Sequence, residues 1–208
     1  MLYHNASHYH NNYDTKQRFI SYWHQIHEIL ERDPQKVLEI GIGNGFVSRY
    51  LKEQGVTLTT CDSDQKLKPD FVASITKLPF AGNAFDVVSA FEVLEHLPYR
   101  EALAALGELK RVSSMWVILS IPDATRTLRI EFPIPKWGKF KKLFIVPKLH
   151  PLVHKSPDEN GHHWEIGKKD YPLSRILSDI KNAGFRIEKT YRVFEFPYHR
   201  FFVLRKIL

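Results

Sequence analysis

The sequence predicts an α/β fold built on a doubly wound, mostly parallel sheet. Three observations predict it. Short apolar segments alternate with amphipathic stretches at the pitch of strand–helix units. Residues Val37 to Ile40 run straight into a turn bearing Gly41, Gly43 and Gly45, and a helix-like stretch follows from Phe46. The chain closes on a helix and two strands with no helix between them, and such a pair has to run antiparallel.

Each element has its own signal. Thr15 to Arg32 reads as an amphipathic helix, with Phe19, Trp23, Ile26, Ile29 and Leu30 near helical spacing, and Asp33 and Pro34 end it. The first strand is Lys36 to Ile40, and a helix from about Gly45 to Gln54 follows. The second strand, Thr57 to Cys61, is closed by Asp62, Ser63 and Asp64. A short third strand lies near Phe71 to Ser74, and a fourth, Ala84 to Ala90, is entered through the Gly82, Asn83 turn. A helix after Pro98 carries Leu103, Leu106 and Leu109 on one face, and Met115 to Ile121 is a strand stopped by Pro122. Leu173 to Ala183 is helical and ends at Gly184, a residue suited to a helix C-terminus. Phe185 to Val193 and Phe201 to Arg205 are the closing strands.

The 208 residues suit one α/β domain, expected to span 1–208 with an N-terminal helical lid over about 1–33 and an insertion over about 124–160. The net charge of +7 is concentrated in one place. Between Arg126 and Lys155 there are eight Lys/Arg against one acid, Glu131, while the remainder holds 22 bases and 22 acids. A single cysteine, Cys61, excludes an internal disulfide framework. The first residues, rich in His, Asn and Tyr, lack the pattern of a signal peptide, and no apolar run has the length of a membrane span. These features predict a soluble, cytoplasmic protein.

The glycine turn carries the chemistry. Its third glycine comes one residue early for a dinucleotide fingerprint, since position 46 is Phe, and Glu39 sits inside the strand before it. A ligand is expected at the carboxyl ends of the strands, close to Gly41, Gly43, Asn44 and Gly45. Asp62 ends the second strand, where a carboxylate can accept hydrogen bonds from both hydroxyls of a ribose.

The acid-x-Gly-x-Gly-x-Gly pattern resembles motif I of the class I S-adenosylmethionine (SAM)-dependent methyltransferases, within the methylases similar to those of ubiquinone and menaquinone biosynthesis. Two more stretches carry the resemblance: Leu78, Pro79 and Phe80 leading to Phe85, Asp86, Val87 and Val88, and Val93, Leu94, Glu95, His96 and Leu97 after the fourth strand. Together they cover about residues 37 to 123. The resemblance implies a Rossmann-like sheet of seven strands, mostly parallel, with one antiparallel edge strand. It implies SAM as cofactor and S-adenosyl-L-homocysteine (SAH) as product. Glu39 would then help hold the methionine end, with Ser63 beside Asp62 at the ribose, and Phe91 and Glu92 approaching the sulfonium. The family often has an acid four residues before the Leu-Pro-Phe stretch to meet the adenine amino group. Here that residue is Ser74, and its hydroxyl or the Ile75 backbone takes the place. In the family, Glu95 and His96 usually pack and cap the helix that follows.

Transfer from a sulfonium needs alignment above all, and a base where the acceptor is a hydroxyl, a carbon acid or a protonated amine. The bases expected on the acceptor side are His162, His163 and Glu165, with Trp164 as a wall. They do not read as a metal site, because adjacent histidines point different ways and neither Cys nor a His-x-x-x-His spacing accompanies them. Tyr3, His8, Tyr9, His10 and Tyr13 are lid candidates, and Tyr198, His199 and Arg200 lie near the acceptor pocket. The basic and aromatic segment 134–148 has three candidate uses. It covers an anionic small acceptor, contacts an anionic membrane to reach a lipid-linked one, or contacts nucleic acid. Nucleic acid is the weakest, since the remaining surface is balanced in charge. The expected activity is methyl transfer to a small-molecule, glycan or lipid-precursor acceptor; the alternatives are a nucleic-acid methyltransferase and a non-catalytic SAM-binding protein.

Overall fold

The computed structural model describes residues 13–136, 138–147, 152–158 and 160–207. The lid candidates Tyr3, His8, Tyr9 and His10 lie outside them, as do Trp137 and Lys148 of the basic segment.

Seven strands form one sheet: β1 (Val37–Ile40), β2 (Leu58–Asp62), β3 (Phe71–Val72), β4 (Phe85–Phe91), β5 (Ser113–Pro122), β8 (Phe185–Arg192) and β9 (His199–Lys206). Their order is β3-β2-β1-β4-β5-β9-β8. All pairs from β3 to β5 are parallel, and β9 runs antiparallel to both its neighbours. The antiparallel strand therefore lies one place in from the edge, not at it. The link from β8 to β9 is a tight one, so the two must pair directly, and β9 takes the slot beside β5. The parallel strands read as continuous apolar runs because both faces are covered, and β1 is buried throughout.

Helices α1 (Lys16–Leu30) and α2 (Phe46–Glu53) belong to one face, α3 (Tyr99–Val112) and α4 (Leu173–Asn182) to the other. In α3 the buried face is Ala102, Ala105, Leu106, Leu109 and Val112. Leu103 sits at its exposed margin.

Helix α1 departs from its sequence pattern. Its apolar Phe19, Trp23 and Leu30 are exposed, and its buried residues are Ser21, Tyr22, Gln25, Glu28 and Ile29. The reason is polar docking. Glu28 receives Lys189 Nζ at 2.5 Å and the Tyr191 hydroxyl at 2.8 Å, and Ser21 Oγ meets His199 Nδ1 at 2.7 Å. These buried polar contacts, two of them to the Glu28 carboxylate, outweigh the apolar stripe here.

The basic segment between β5 and α4 is a separate hairpin, β6 (Thr127–Ile134) and β7 (Gly138–Ile145). In its register Leu128 faces Phe144, Ile130 faces Lys142 and Phe132 faces Phe140. Alternation then places Arg129, Glu131, Lys139 and Lys141 on the other face. That polar face holds the hairpin to the body, through Arg129 Nη1 donating to the Glu195 carbonyl at 2.7 Å and Lys141 bonding the Glu195 carboxylate at 2.6 Å.

Candidate functional site

The turn after β1 is built from backbone that only glycine adopts freely. Gly41, Gly43 and Gly45 have φ of 78°, 54° and 71°. A Cβ on Gly41 would come within 2.3 Å of Val93 Cγ2, which brings the segment after β4 against the turn. The turn itself therefore requires all three glycines, so they speak to the local geometry as strongly as to a ligand. Asp62 braces the same turn: its Oδ2 accepts from Ile42 N at 3.0 Å and its Oδ1 from Asp64 N at 2.9 Å. Burial raises the Asp62 pKa despite those bonds.

Asn44 ties the N-terminal segment down. Its Nδ2 donates to both oxygens of Asp14 at 2.8 and 3.1 Å, while its Oδ1 accepts from Phe46 N at the start of α2. Asp14 also accepts from the Tyr22 hydroxyl at 2.9 Å, and the Arg18 guanidinium lies 4.4 Å from the centre of the Tyr13 ring. Neither Asp14 nor Arg18 was marked by any sequence motif.

Glu39 is buried, and its Oε2 has no hydrogen-bond partner among the described residues. Burial pushes its carboxyl up to about 8. Ser63 and Ser74 are exposed, and Ser74 Oγ bonds Thr76 Oγ1 at 2.8 Å. Ile75 is a core residue, and the Phe91 ring packs with Phe201 at 5.9 Å, so of these two the backbone is what a ligand can reach. A cavity of about 370 Å³ opens beside Gly43, Asn44 and Gly45, but on the side of Lys52, Lys66 and Lys68, away from Glu92 and Glu95.

At the end of β4 the chain gathers acids. Glu92 takes a left-handed φ of 54°, unusual without glycine and a mark of a constrained functional position. Burial raises its carboxyl to about 7, and its Oε2 lies 3.4 Å from His199 Nε2. Glu95 is fully buried, with neither carboxylate oxygen partnered among the described residues. Burial and the adjacent Glu92 raise its pKa well above the ordinary carboxylate range. Capping of α3 is not its role, because the helix begins at Tyr99 with Pro98 as its N-cap and no side-chain cap.

The loop before α4 meets this group. His163 N donates to the Glu95 carbonyl at 2.7 Å, and the His96 and His162 rings lie 4.9 Å apart. His162 Nδ1 lies 3.0 Å from Glu165 Oε1, which also receives the Tyr198 hydroxyl at 2.6 Å. Burial alone would raise Glu165, but those two bonds and nearby Lys168 bring it down to about 2. An ionised carboxylate only accepts, so His162 Nδ1 is the donor in that bond. His199 is kept neutral by burial and by Arg18. His163 turns away and pairs with Ser156 Oγ at 3.0 Å. Trp164 is 2% exposed and packs edge-on against Tyr99 in the core, where it lines a small apolar cavity with Leu106 and Ile180 that includes neither Glu92 nor His162. Arg200 bonds Asp123 at 2.7 Å and serves the sheet.

Residues 38–115 match a family model described as a methyltransferase domain. The chain is 31% identical over 171 residues to a demethylmenaquinone methyltransferase of Beutenbergia cavernae, covering 74% of this chain and 67% of the relative. A solved structure from Pyrococcus horikoshii OT3 shares the fold with a TM-score of 0.63 at 16% identity, covering 96% of this chain and 95% of that one. So does the 1,6-didemethyltoxoflavin-N1-methyltransferase of Burkholderia thailandensis, solved with its toxoflavin precursor and SAH, at a TM-score of 0.60, 16% identity and 97% and 85% coverage. The magnesium protoporphyrin IX methyltransferase of Synechocystis PCC 6803 with bound SAM gives 0.58 at 17% identity, with 96% and 88% coverage. The chain belongs to the class I SAM-dependent methyltransferases: it is a methyltransferase, and its cofactor is SAM.

Proposed function

We propose that this methyltransferase acts on an apolar small molecule or lipid precursor met at an anionic membrane surface. The observation that carries the reading is the β6–β7 hairpin. Its polar face is turned to Glu195, and its other face leaves Leu128, Phe132, Phe140 and Phe144 exposed by 54, 47, 38 and 41%. Lys142 lies on that apolar face opposite Ile130, and Lys136 lies in the turn at its end. Each large apolar side chain removed from water contributes about 1.5–3 kcal/mol, and each cation near an anionic surface about 1 kcal/mol. Among the described residues no helix is long and apolar enough to cross a membrane, so contact would be peripheral. The relative from Beutenbergia cavernae is named for demethylmenaquinone, and the Burkholderia thailandensis structure holds a small heterocycle.

The residues around the turn fit the cofactor. The orphaned, buried Glu39 oxygen suits the ammonium of its methionine end, and Asp62 suits its ribose hydroxyls. When bound, the cofactor supplies a methyl activated on a sulfonium. Gly41, Gly43, Asn44 and Gly45 would hold it by backbone, with Ser63, Ser74, Ile75 and Phe91 along its length. Glu92 would stand at the reacting end, where Glu165 orients the His162 ring toward the acceptor. His163 would shape the loop without touching the acceptor.

Vesicle co-sedimentation tests the reading. The protein should pellet with phosphatidylglycerol vesicles and stay in solution with phosphatidylcholine, and F132S/F140S should release it while leaving SAH binding unchanged. Equal pelleting of both proteins, or tight salt-sensitive binding to RNA instead, would contradict it.

A further inference from the structure

The acids and histidines at the end of β4 form a donor set that methyl-group alignment alone does not call for. Glu95, His96 and His162 each offer a ligand atom, and these atoms all lie within 4.8 Å of one another. We propose that Glu95, His96 and His162 bind a divalent cation at the rim of the methyl-transfer pocket.

Three independent features support it. First, Glu95 is fully buried with both carboxylate oxygens unpartnered among the described residues, and an unpartnered buried polar group is costly unless something binds it. Second, His162 is held as a metal-binding histidine is held. Its Nδ1 is engaged by Glu165, itself fixed by Tyr198, which orients the ring and aims Nε2. Third, the two halves of the set are locked together, by the 2.7 Å bond from His163 N to the Glu95 carbonyl. Glu92, with a buried unpartnered Oε1, faces the same cluster.

A second grouping, His154, Asp158 and Glu165, is a weaker candidate. Its atoms are already committed: Asp158 Oδ1 accepts from the Asn160 and His162 backbone, His154 Nε2 bonds the His162 carbonyl, and Glu165 Oε1 holds His162 and Tyr198.

Two imidazoles and one carboxylate suit Mn²⁺, Fe²⁺, Co²⁺ or Zn²⁺ better than the oxygen-loving Mg²⁺ or Ca²⁺. Three protein ligands leave coordination positions open. An oxygen of the acceptor would fill them, and a hydroxyl bound there loses its proton to water more readily. His162 then acts as a ligand, not as the proton acceptor. Cation binding stands apart from the methyltransferase reading; only the identity of the oxygen ligand rests on it. The loop histidines do diverge, as their adjacency dictates. The metal pattern is hidden because its other two ligands come from the far side of β5.

Co²⁺ titration of the untagged full-length protein, read by visible absorption, tests this, with Mn²⁺ binding by electron paramagnetic resonance as a second probe. One equivalent should bind. Glu165→Gln should weaken binding about 10–100-fold, as loss of a ligand-orienting partner does, and His162→Ala should weaken it further. His163→Ala should leave it unchanged. SAH titration and circular dichroism on the same samples report cofactor binding and folding separately. Folded wild-type protein that binds SAH and takes up no cation at millimolar concentration would overturn the proposal. So would uptake that His162→Ala and Glu95→Gln, both folded, leave intact.

Discussion

The glycine turn after β1 and the segment after β4 that bears the acid–histidine cluster meet at Gly41 and Val93, yet they are built on opposite principles. The turn is local. Its parts lie between Glu39 and Asp62, and Asp62 and Asn44 each hold backbone, which leaves the buried Glu39 Oε2 as its one unpartnered carboxylate oxygen among the described residues. The cluster is assembled from Glu92, Glu95 and His96 in the middle of the chain and His162, Glu165, Tyr198 and His199 nearer its C-terminus. It keeps several carboxylate oxygens buried and unpartnered. The bonded residues of the turn hold shape, whereas the unpartnered buried acids are there to meet something. The comparison assigns stability to the first region and chemistry to the second.

Substitutions should therefore separate the two. Gly41→Val forces a β-branched residue to φ 78° and drives a Cβ into Val93. Backbone strain and overpacking together should destabilise by about 2–5 kcal/mol, measured by urea unfolding, with SAH binding lost alongside. A value near zero would mean that the turn is not the rigid part. Glu95→Gln should act in the reverse sense. Removing a buried ionisable group without a partner should raise stability at pH 8 by about 1–3 kcal/mol while lowering turnover. Lower stability with full turnover would place Glu95 among the structural residues.

The smallest effect per unit is the pH dependence. Glu39 and Glu92 have folded pKa values of about 8 and about 7, raised by burial above their ordinary value. Each favours the folded state below pH ~4.5, and that contribution is lost as pH rises through 7 and 8, at up to ~1.4 kcal/mol per pH unit per group. SAH, whose ammonium would pair with Glu39, should flatten the decline. Thermal melts from pH 5 to 8.5 with and without SAH would show it, and parallel slopes would remove Glu39 from the cofactor site.

The same contrast explains what the sequence made legible. Val37 to Gly45, Asp62 and the stretch from Leu78 to Leu97 announce themselves because their chemistry is contiguous and their spacing is fixed by a strand or a turn. The strands of the seven-stranded sheet fell where apolar runs placed them, whereas β6 and β7, outside that sheet, were not legible. Helix α1 also lies where the sequence placed it, but its buried face was misread, because Ser21, Gln25 and Glu28 are buried and Phe19, Trp23 and Leu30 are exposed. His199 was named near the acceptor side, but Arg18 and Asp14 were illegible. Each of these two is an ordinary residue until the tie from Asp14 to Asn44 holds the start of α1 against the turn. Trp164 misled for a similar reason, since nothing local to a loop tells a core aromatic from one on the acceptor side.

A crystal structure with SAH tests the central claim most directly. The ribose should bond Asp62, the ammonium should face Glu39, and the sulfur should point past Glu92 toward Glu95 and His162. A sulfur pointing instead into the cavity of Lys52, Lys66 and Lys68 would contradict the account, and with it the division of labour between turn and cluster.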